Sequence, residues 1–511
     1  MKNTKIWTIV SVAILTLQVV AEALTVLLVW QLDVLPTLYM GILLGVFAVF
    51  AAITGLLLFL QIKKKPVSTV RRIIAMILAL LVVCGCALVA KVAADAYETI
   101  HAVTAPAEEA DEESIYVFVR KDDPAQKLAD TAAYPYGMIG EYDTENISKA
   151  IALIEQTTGS ALALTEYSST AEVVDALLND QVDAVILNGV NVVLLTEEEG
   201  YEDLMNKVRI LHTIPLDSLK EEPEPETNPD PEPTVPEEPK EITKDPFIFY
   251  VSGSDTRNKK FRISRSDVNI LVVVNPVTKQ VLLLNTPRDY YIPNPKGNGA
   301  LDKLTHCGLY GAKCSMQALG DLYGIKVDYY AQINFTGFET LIDAVDGVTI
   351  YSDKSFTARD TKIKKGENYL NGAQALDLVR ERYHVSGGDN GRGKNQMKVI
   401  TAIIDKMTTG TTVIKNYSKI LDSLEGMFRT SLKTEDLSKL VKMQLGDMAS
   451  WNVQSFAVTG RGASEKTYSS PGHRAYVMYP NKESVAYASE LVKRVLDGEI
   501  LTKDDMVLPK R

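Results

Sequence analysis

The chain contains few of the residues that build metal-histidine and redox sites. Its 511 residues include only five histidines and four cysteines. The histidines are scattered, and the sequence has no HExxH motif, no Cys-His pair and no P-loop. Basic residues are also outnumbered, which gives a net charge of −11. These absences argue against metal-histidine chemistry, against P-loop nucleotide binding and against a nucleic-acid-binding body.

Long apolar runs are present at the start of the chain. A helix needs about 20 apolar residues to cross a bilayer, and the first two runs exceed that length while the third is close to it. The first run is too long for a cleaved signal peptide and is followed by two more. Residues 1–95 are therefore predicted to form a membrane region with three transmembrane helices, at about 6–30, 38–62 and 73–90.

The basic residues near these runs predict the topology. Lys2 and Lys5 precede the first run, and residues 63–72 between the second and third contain five more basic residues. The loop 31–37 between the first two runs carries only one charge, an aspartate. The positive-inside rule places the N-terminus and the basic loop in the cytoplasm. Everything after Lys91 is then outside, and the protein is a multi-pass cell-membrane protein.

Glu22 lies in the middle of the first apolar run. An ionisable side chain at that depth is costly unless it faces a partner or water, so it invites a functional interpretation. A single group forms no proton relay, which favours a protonated glutamic acid at a helix contact.

The region outside the membrane divides by composition. Residues 114–217 alternate between strand and helix patterns, which predicts a small accessory α/β domain with a parallel or mixed sheet; packing, partner binding and glycan binding all remain open for it. Residues 218–244 are rich in Pro, Glu and Asp, and such a linker is extended and solvated. It would let the last domain work away from the membrane-proximal one. Residues 245–498 predict a mixed α/β domain with helices on both faces of a central sheet, and 499–511 form a tail.

Charged residues flank a predicted three-stranded meander at the start of the last domain. Asp255 follows the first strand, Asp267 opens the second, and Arg288 follows the third. In an up-down-up meander these positions meet at one edge of the sheet, with Arg265 nearby. Carboxylates and arginines together suit a divalent metal and phosphate groups. The three strands are predicted at 247–251, 268–274 and 281–284.

A second set of charged residues follows about a hundred residues later. An amphipathic helix pattern runs into Arg380 and Arg382, which point the same way if the chain is extended there. Asp389, Arg392 and Gln396 are spaced i, i+3, i+7, so they share one face of a following helix.

Each of these patterns alone has an ordinary explanation. Aspartates around a hairpin are usually surface turn residues, and arginines at a helix end are usually solvated. Together, however, five arginines, a lysine and two or three carboxylates converge on one predicted edge. Guanidinium groups gathered in this way repel one another unless a polyanion binds them, and their planar forks match phosphate oxygens.

These residues resemble the motifs of the LytR-CpsA-Psr (LCP) family, and the likeness covers about 245–404 with the spacings in order. The chain is similar to the three-span CpsA-like type with an accessory domain. One departure is Cys307, where alanine is expected. The matching residues are Asp255, Arg265-Ser-Asp267, Pro287-Arg288-Asp289, Lys303, Val379-Arg380-x-Arg382 and Asp389-x-x-Arg392-x-x-x-Gln396.

The resemblance implies an αβα fold with a polyprenyl chain lodged between sheet and helices. It implies a phosphotransferase that moves a glycopolymer, of the teichoic acid or capsular type, from an undecaprenyl-diphosphate carrier to a muramic-acid hydroxyl of peptidoglycan, leaving a phosphodiester link. By the same resemblance, Asp255 and Asp267 hold Mg²⁺ (or Mn²⁺). The lipid diphosphate contacts Arg265, Arg288, Lys303, Arg380, Arg382, Arg392 and Gln396. The catalytic residues are Arg265, Asp267, Arg288, Arg380, Arg382, Asp389, Arg392 and Gln396, with the general base left open between Asp267 and Asp389.

Three other functions remain open on the sequence. One is a hydrolase that releases the glycan from its lipid, and another is a non-catalytic membrane sensor that binds polyprenyl diphosphate. A transcriptional attenuator is the third, and the lack of a cytoplasmic domain or DNA-binding helix argues against it. Product analysis separates hydrolysis and sensing from transfer.

Cys307 and Cys314 flank a Gly-Leu-Tyr-Gly turn in the region predicted to be outside the cell. A disulfide across that turn is one expectation, and two unpaired core cysteines are the alternative.

Overall fold

The computed structural model describes residues 2–61, 67–104, 114–140, 142–219, 240–254, 264–385, 388–409, 416, 419–420, 423 and 426–509. It begins with three long helices, α1 (Lys2–Leu32), α2 (Thr37–Phe59) and α3 (Thr69–Thr104). In these described residues three segments are long and apolar enough to cross a membrane, namely Ile6–Leu32, Thr37–Phe59 and Thr69–His101. Each contains most or all of one predicted span, and α3 continues well past residue 90.

Glu22 sits in a polar contact inside the membrane helices. It is only 6% exposed, and Gln18 Nε2 donates a hydrogen bond to its Oε1 at 2.8 Å. One turn further on, the hydroxyl of Thr25 donates to the backbone carbonyl of Cys86 on α3 at 3.4 Å. This arrangement fits the interpretation of Glu22 as a helix-contact residue.

The accessory domain is a mixed five-stranded sheet with helices, as far as the structure describes it. The strand order is β3-β2-β4-β1-β5, with β2 parallel to β3 and β4, and with β1 antiparallel to β4 and β5. The elements are β1 (Ser114–Arg120), β2 (Pro135–Ile139), α4 (Thr144–Thr158), β3 (Ala163–Tyr167), α5 (Thr170–Leu178), β4 (Ala184–Asn188), α6 (Gly189–Thr196), α7 (Leu204–Lys207) and β5 (Val208–Pro215).

Strand β2 and helix α6 are absent from the sequence interpretation. The segment Pro135–Ile139 contains Pro and Gly, which are depleted in strands. The structure explains the glycine: a Cβ on Gly137 would lie 2.7 Å from Val173 Cγ2, so α5 packs directly on the backbone of β2.

The last domain has three layers around a mixed sheet, with the strand order β16-β11-β6-β7-β8-β17 in the described residues. Its elements are β6 (Phe247–Ser254), β7 (Ser266–Asn275), β8 (Gln280–Asn285), β9 (Tyr291–Pro293), β10 (Leu301–Lys303), α8 (Leu304–Cys307), α9 (Ala312–Tyr323), β11 (Tyr329–Asn334), α10 (Phe335–Ala344), β12 (Val348–Ser352), β13 (Phe356–Ala358), β14 (Thr361–Ile363), β15 (Gly366–Leu370), α11 (Gly372–Arg380), α12 (Asp389–Thr408), β16 (Phe428–Thr430), α13 (Thr434–Asp447), β17 (Asn452–Ala457), β18 (Gly460–Thr467), β19 (Ser470–Pro480) and α14 (Lys482–Leu496).

Strands β6, β7 and β8 form the predicted antiparallel meander, and parallel β11 and β17 extend it on either side. One face of the sheet packs against α9 and α14, and the other packs against α12 and α13. Ser254 pairs with Ser266, and Ile270 pairs with Asn285. The end of β6, the start of β7 and the end of β8 therefore meet at one edge, which is the edge expected to carry the site.

Two parts of the sequence interpretation differ from this domain. The apolar pattern of 414–428 predicts a helix, most of which lies outside the described residues, and at its end Phe428 belongs instead to strand β16, which pairs with β11. Helix α14 was not predicted, although its buried positions Ser484, Ala488, Leu491, Val492 and Val495 have helical spacing.

The accessory domain packs against the last domain. The hydroxyls of Tyr142 and Tyr310 are 2.7 Å apart, and Tyr310 also bonds to Ser469 Oγ at 2.9 Å. Val190 and Leu194 of α6 are buried in the hydrophobic core formed by the sheet, α9 and α14 of the last domain. The expectation that the linker lets the last domain work away from its neighbour is therefore wrong, because burial of this apolar surface holds the two together.

Helix α13 rests on the C-terminal ends of α1 and α3. Lys442 Nζ lies 2.6 Å from Asp33 Oδ1, just after α1, and Ser438 Oγ donates to the carbonyl of Leu32 at 3.3 Å. At the end of α3, the hydroxyls of Thr104 and Thr434 are 2.6 Å apart. The loop between α1 and α2 thus lies on the same side as the last domain, which is the arrangement that the predicted topology requires.

Cys307 and Cys314 are both free and buried. The Cys314 thiol donates to Asn294 Oδ1 at 3.5 Å. The expected disulfide is not formed, and the two residues are unpaired core cysteines.

Replacing Tyr142 by alanine should loosen the contact between the accessory domain and the last domain. A large-to-small change at a buried aromatic costs about 3 kcal/mol or more, and here it also removes the hydroxyl that bonds to Tyr310. Hydrogen exchange of the full chain should show faster exchange in α6 and in β10 than in the parent. Tyr351→Ala, at a residue that is 57% exposed, is the control; equal exchange in the two variants would contradict the docking.

Candidate phosphate-binding site

Arginine side chains surround a cavity of about 670 Å³ at the predicted sheet edge. We call it the arginine cavity. Three carboxylates also line it, namely Asp267, Asp360 and Glu381. The guanidinium groups outnumber them two to one, because the lining includes Arg265, Arg288, Arg359, Arg380, Arg382 and Arg392.

The meander supplies one wall of the cavity. Arg288 follows β8 and forms an ion pair through Nη1 with Asp267 Oδ1 at the start of β7. Its Nε is 3.7 Å from Asp289 Oδ1. Burial alone would lower the pKa of Arg288, but Asp267, Asp289 and Asp389 raise it above the ordinary arginine value. Arg288 therefore stays protonated, paired with the neighbouring carboxylates.

Helix α12 supplies a second wall. Arg392 is 4% exposed; its Nη2 lies 2.5 Å from Asp389 Oδ1 and donates to the Asp267 carbonyl at 3.4 Å. Burial lowers the pKa of Arg392, and the charges of Arg382 and Arg288 lower it further. Within the described residues, the buried Nε atoms of Arg288 and Arg392 have no hydrogen-bond partner. These two donors thus lack acceptors, which a polyanion would supply.

The close approach of α12 to the sheet depends on a glycine. A Cβ on Gly393 would lie 2.2 Å from Asn285 Nδ2 at the end of β8, so any larger residue would push the helix away. Gln396, one turn further on, donates to the Val379 carbonyl at 3.2 Å and ties α12 to the end of α11.

Glu381 fixes the turn that presents Arg380 and Arg382. It is 3% exposed and accepts backbone N–H bonds from Arg359 (2.9 Å), Tyr383 (2.7 Å) and His384 (3.0 Å). Burial alone would raise the pKa of Glu381, but these hydrogen bonds lower it to about 2. Glu381 therefore stays ionised and holds the segment against the β13–β14 turn.

Arg380 ends α11, and its guanidinium lies over the Phe335 ring at 4.4 Å from the ring centroid. This contact with an aromatic face orients the fork toward the cavity and leaves the positive charge in place.

An apolar slot of about 180 Å³ adjoins the arginine cavity. It lies between the sheet and helices α10, α11 and α12, and its walls include Ile333, Phe338, Leu341 and Ile403. Four residues line both spaces, namely Val268, Phe335, Val379 and Gln396. A ligand with a charged head and an apolar tail could occupy both.

The accessory domain contributes a residue beside the cavity. Glu197, directly after α6, forms an ion pair with Arg265 Nη2. Sequence reasoning missed this residue because it lies 68 positions before Arg265 and in another domain, and no local pattern marks it.

The structure gathers most of the predicted site residues. Asp389 is paired with Arg392 and lies outside the lining. The cavity is lined by the predicted residues Arg265, Asp267, Arg288, Arg380, Arg382, Arg392 and Gln396. Lys303 Nζ is 3.3 Å from Asp289 Oδ1, outside the lining. Asp255 lies outside the described residues.

Sequence reasoning also missed Arg359, Phe335, Tyr383 and His384, which line the cavity. Arg359 enters it from the tight turn between β13 and β14, where its φ of +51° is in the left-handed region. Its sequence neighbourhood carries no signal for that position.

The carboxylates of the described residues suit a metal ion only if a bound ligand supplies part of its coordination. Among these residues, no group of three or more His, Cys, Asp or Glu side chains could hold an ion. Among the described residues of the meander edge, Asp267 brings its carboxylate into the cavity. Mg²⁺ is commonly bound by one or two carboxylates together with substrate phosphates. The donor set therefore fits an ion that arrives with a phosphate ligand, rather than a preformed protein cage.

Fold and site together define an α/β protein with three membrane-length helices and an arginine-rich cavity beside an apolar slot. The model of the LytR_cpsA_psr family matches residues 218–484, which is just over half of the chain. The chain belongs to this family.

The chain is also similar to named relatives. It is 34% identical over 199 residues to the polyisoprenyl-teichoic acid–peptidoglycan teichoic acid transferase TagU of Enterococcus faecalis, covering 39% of this chain and 65% of the relative. It is 36% identical over 205 residues to the corresponding transferase TagT of Bacillus subtilis, covering 38% of this chain and 62% of the relative. The match thus spans just under two thirds of these relatives.

A solved structure described as TagT bound to LI-WTA is 26% identical, covers 51% of this chain and 94% of that chain, and superposes with a TM-score of 0.41. At that score, the superposition adds no weight to the family assignment.

Replacing Glu381 by glutamine should destabilise the cavity wall. The folded-state pKa of about 2 lies below the ordinary value of 4.5, so the carboxylate stabilises the fold above pH 4.5 and loses this effect as the pH falls toward 2. The stabilisation is on the order of 3 kcal/mol at neutral pH. The melting temperature of Glu381→Gln should drop at pH 7 and should depend less on pH between 4.5 and 3. Glu435→Gln, at an exposed site, should melt like the parent at every pH.

Proposed function

We propose that this protein is a phosphotransferase that moves a glycopolymer from a polyprenyl-diphosphate carrier to peptidoglycan through a phosphodiester link. The observation that carries the proposal is the direct contact between the arginine cavity and the apolar slot. A diphosphate joined to an isoprenoid chain offers a charged group for the arginine cavity and an apolar chain for the slot.

The apolar slot suits the start of the lipid chain. Its surface is almost wholly apolar, and it opens to the cavity at Val268, Phe335 and Val379. At about 180 Å³ the slot takes only the part of the chain next to the diphosphate, and the rest would follow between the sheet and the helices. Burial of this segment stabilises the bound carrier at about 25 cal/mol per Å² of apolar surface.

The arginines suit the diphosphate. Arg392 is buried and Arg288 is largely shielded, and both are held by carboxylates, whereas Arg380 and Arg382 approach from the end of α11. Such preorganised charges stabilise a phosphoryl-transfer transition state without rearranging as the reaction proceeds. Catalysis on this view consists mainly of positioning and electrostatics.

The proposed transfer exchanges one P–O bond for another. The acceptor hydroxyl oxygen attacks the phosphorus attached to the glycan, and a new P–O bond forms. The bridging P–O bond to the lipid-side phosphate breaks, and polyprenyl monophosphate leaves. The hydroxyl proton passes to a base, for which Asp267 and Asp389 are the two candidates near the cavity. Arg288 and Arg392 lie against these carboxylates and also neutralise the leaving phosphate.

A magnesium or manganese ion completes this proposal. Asp267, together with Asp255, would hold the ion against the diphosphate. When bound, it supplies charge neutralisation and polarises the phosphoryl oxygens.

The substrates are proposed from the relatives and the membrane region. The relatives' names specify teichoic acid and peptidoglycan, so the donor is a teichoic acid or a capsular polymer on undecaprenyl diphosphate. The predicted topology places the cavity outside the cell, where peptidoglycan lies. The contacts of α13 with α1 and α3 keep the last domain close to the membrane that holds the carrier.

Arg380→Lys and Arg382→Lys should each lower transfer by about 10²-fold, although the charge is kept. Lysine cannot reproduce the planar two-pronged contact with phosphate oxygens, and loss of one such donor costs a few kcal/mol in the transition state. The assay follows labelled glycan from the lipid donor into peptidoglycan. Arg461→Lys, at an exposed position, is the matched control. Free glycan as the product would instead support a hydrolase, and binding without any product would support a sensor.

Asp267→Asn should abolish the effect of Mg²⁺ on binding as well as on transfer. A short polyprenyl diphosphate should raise the melting temperature of the parent more with Mg²⁺ than with EDTA, because an ion held by Asp267 would neutralise charge on the diphosphate. In Asp267→Asn the two melting curves should coincide, whereas Asp353→Asn, with an 80% exposed side chain, should behave like the parent. A parent that is indifferent to EDTA in both assays would refute the metal.

A further inference from the structure

We propose that a pocket between the accessory domain and the β18–β19 hairpin binds one sugar ring of a glycan. Its role in presenting that glycan to the arginine cavity rests on the proposed function, whereas its binding chemistry does not. The pocket has a volume of about 180 Å³, and the accessory-domain residues Thr170, Ala171, Asn191 and Glu198 face Ser470 and Pro471 across it.

A buried polar atom without a partner points to a ligand. Asn191 is 1% exposed and lines the pocket, and its Nδ2 donates to the Ser469 carbonyl at 3.3 Å. Its Oδ1 is buried and has no hydrogen-bond partner in the part of the chain that the structure describes. A flipped amide would set Oδ1 against the Ser469 carbonyl, so the contact fixes this orientation. An unmet buried acceptor costs about 1–3 kcal/mol, which a hydroxyl or amide N–H of a ligand would remove.

The rest of the pocket suits a neutral, many-hydroxyl ligand. The first N–H groups of a helix have no partner within it, and those of Thr170 and Ala171 begin α5. Ser470 adds a hydroxyl and Glu198 adds a carboxylate, while Leu194 and Pro471 supply apolar surface. Donors, acceptors and an apolar wall together match a sugar ring, which has hydroxyls at its rim and C–H groups on its faces. An anion is a poorer match, because Glu198 and Asn191 Oδ1 both present negative oxygens.

The turn after α6 connects the pocket with the arginine cavity. Asn191 of α6 and Glu198 in the turn after it line the pocket. Glu197, in the same turn, forms the ion pair with Arg265, which lines the arginine cavity. From Asn191 to Glu197 the rise along a helix is about 9 Å. A glycan held at Asn191 would thus have its neighbouring sugar within reach of the cavity. The sugar could come from the peptidoglycan acceptor or from the carried glycopolymer.

The test measures binding to the full-length protein in detergent with two probes. One is the disaccharide N-acetylglucosaminyl-N-acetylmuramic acid, and the other is a soluble glycosylated polyol-phosphate oligomer without lipid. Ser470→Trp fills the pocket, and Ser464→Trp, an exposed serine of the same hairpin, is the matched control. Ala171→Leu fills the same pocket from the accessory domain and leaves the hairpin sequence unchanged. A loss of binding in both variants then reports on the pocket and not on undocking of the hairpin.

Both pocket variants should weaken the affinity for one probe at least tenfold, and Ser464→Trp should leave it unchanged. Weakened disaccharide binding assigns the sugar to the acceptor, and weakened oligomer binding assigns it to the donor. The proposal is overturned if neither probe binds the parent, or if the pocket variants bind like the parent. Because binding is measured without turnover, a protein that binds a probe in this way but transfers no glycan would refute the proposed transferase and keep the sugar site.

Discussion

Mutual repulsion among guanidinium groups is the constraint on which this structure depends. Six arginines line one cavity, and three of them are paired with carboxylates: Arg265 with Glu197, Arg288 with Asp267 and Arg392 with Asp389. The balance is incomplete, since burial and neighbouring positive charges lower the pKa of Arg392. Part of the positive charge in the cavity is therefore uncompensated, and a bound diphosphate would neutralise it.

The sheet makes this concentration of charge possible. In β7 and β8, the apolar residues that pack on the helices hold the strand ends in register, so that Asp267 and Arg288 meet at one edge. This much was predictable from the sequence, because three β-branched runs with short connections specify a meander and its ends. The face of α12 was predictable for a similar reason: the spacing of Asp389, Arg392 and Gln396 is helical. The local spacing of residues in the sequence therefore predicted both halves of the site.

What could not be predicted depends on contacts between distant segments. Glu197 reaches Arg265 only because α6 is buried in the core of the other domain, and no pattern near residue 197 encodes that docking. Arg359 joins the cavity through a turn with positive φ that an arginine rarely adopts. The acidic composition of the linker indicated separation, but composition reports on the linker alone and not on the apolar surfaces at its two ends.

Docking also changes what the linker can do. The accessory domain is held through Tyr142 and Tyr310, and α13 is held on α1 and α3 through Lys442 and Asp33. The position of the cavity relative to the membrane is then set by folded contacts on both sides, not by the reach of residues 218–244. The entropy of closing a loop grows only slowly with its length, by about 0.6 kcal/mol for each doubling. A linker in this setting acts as a tether that keeps the two domains at high local concentration, so its composition matters for solubility and its length is only weakly constrained.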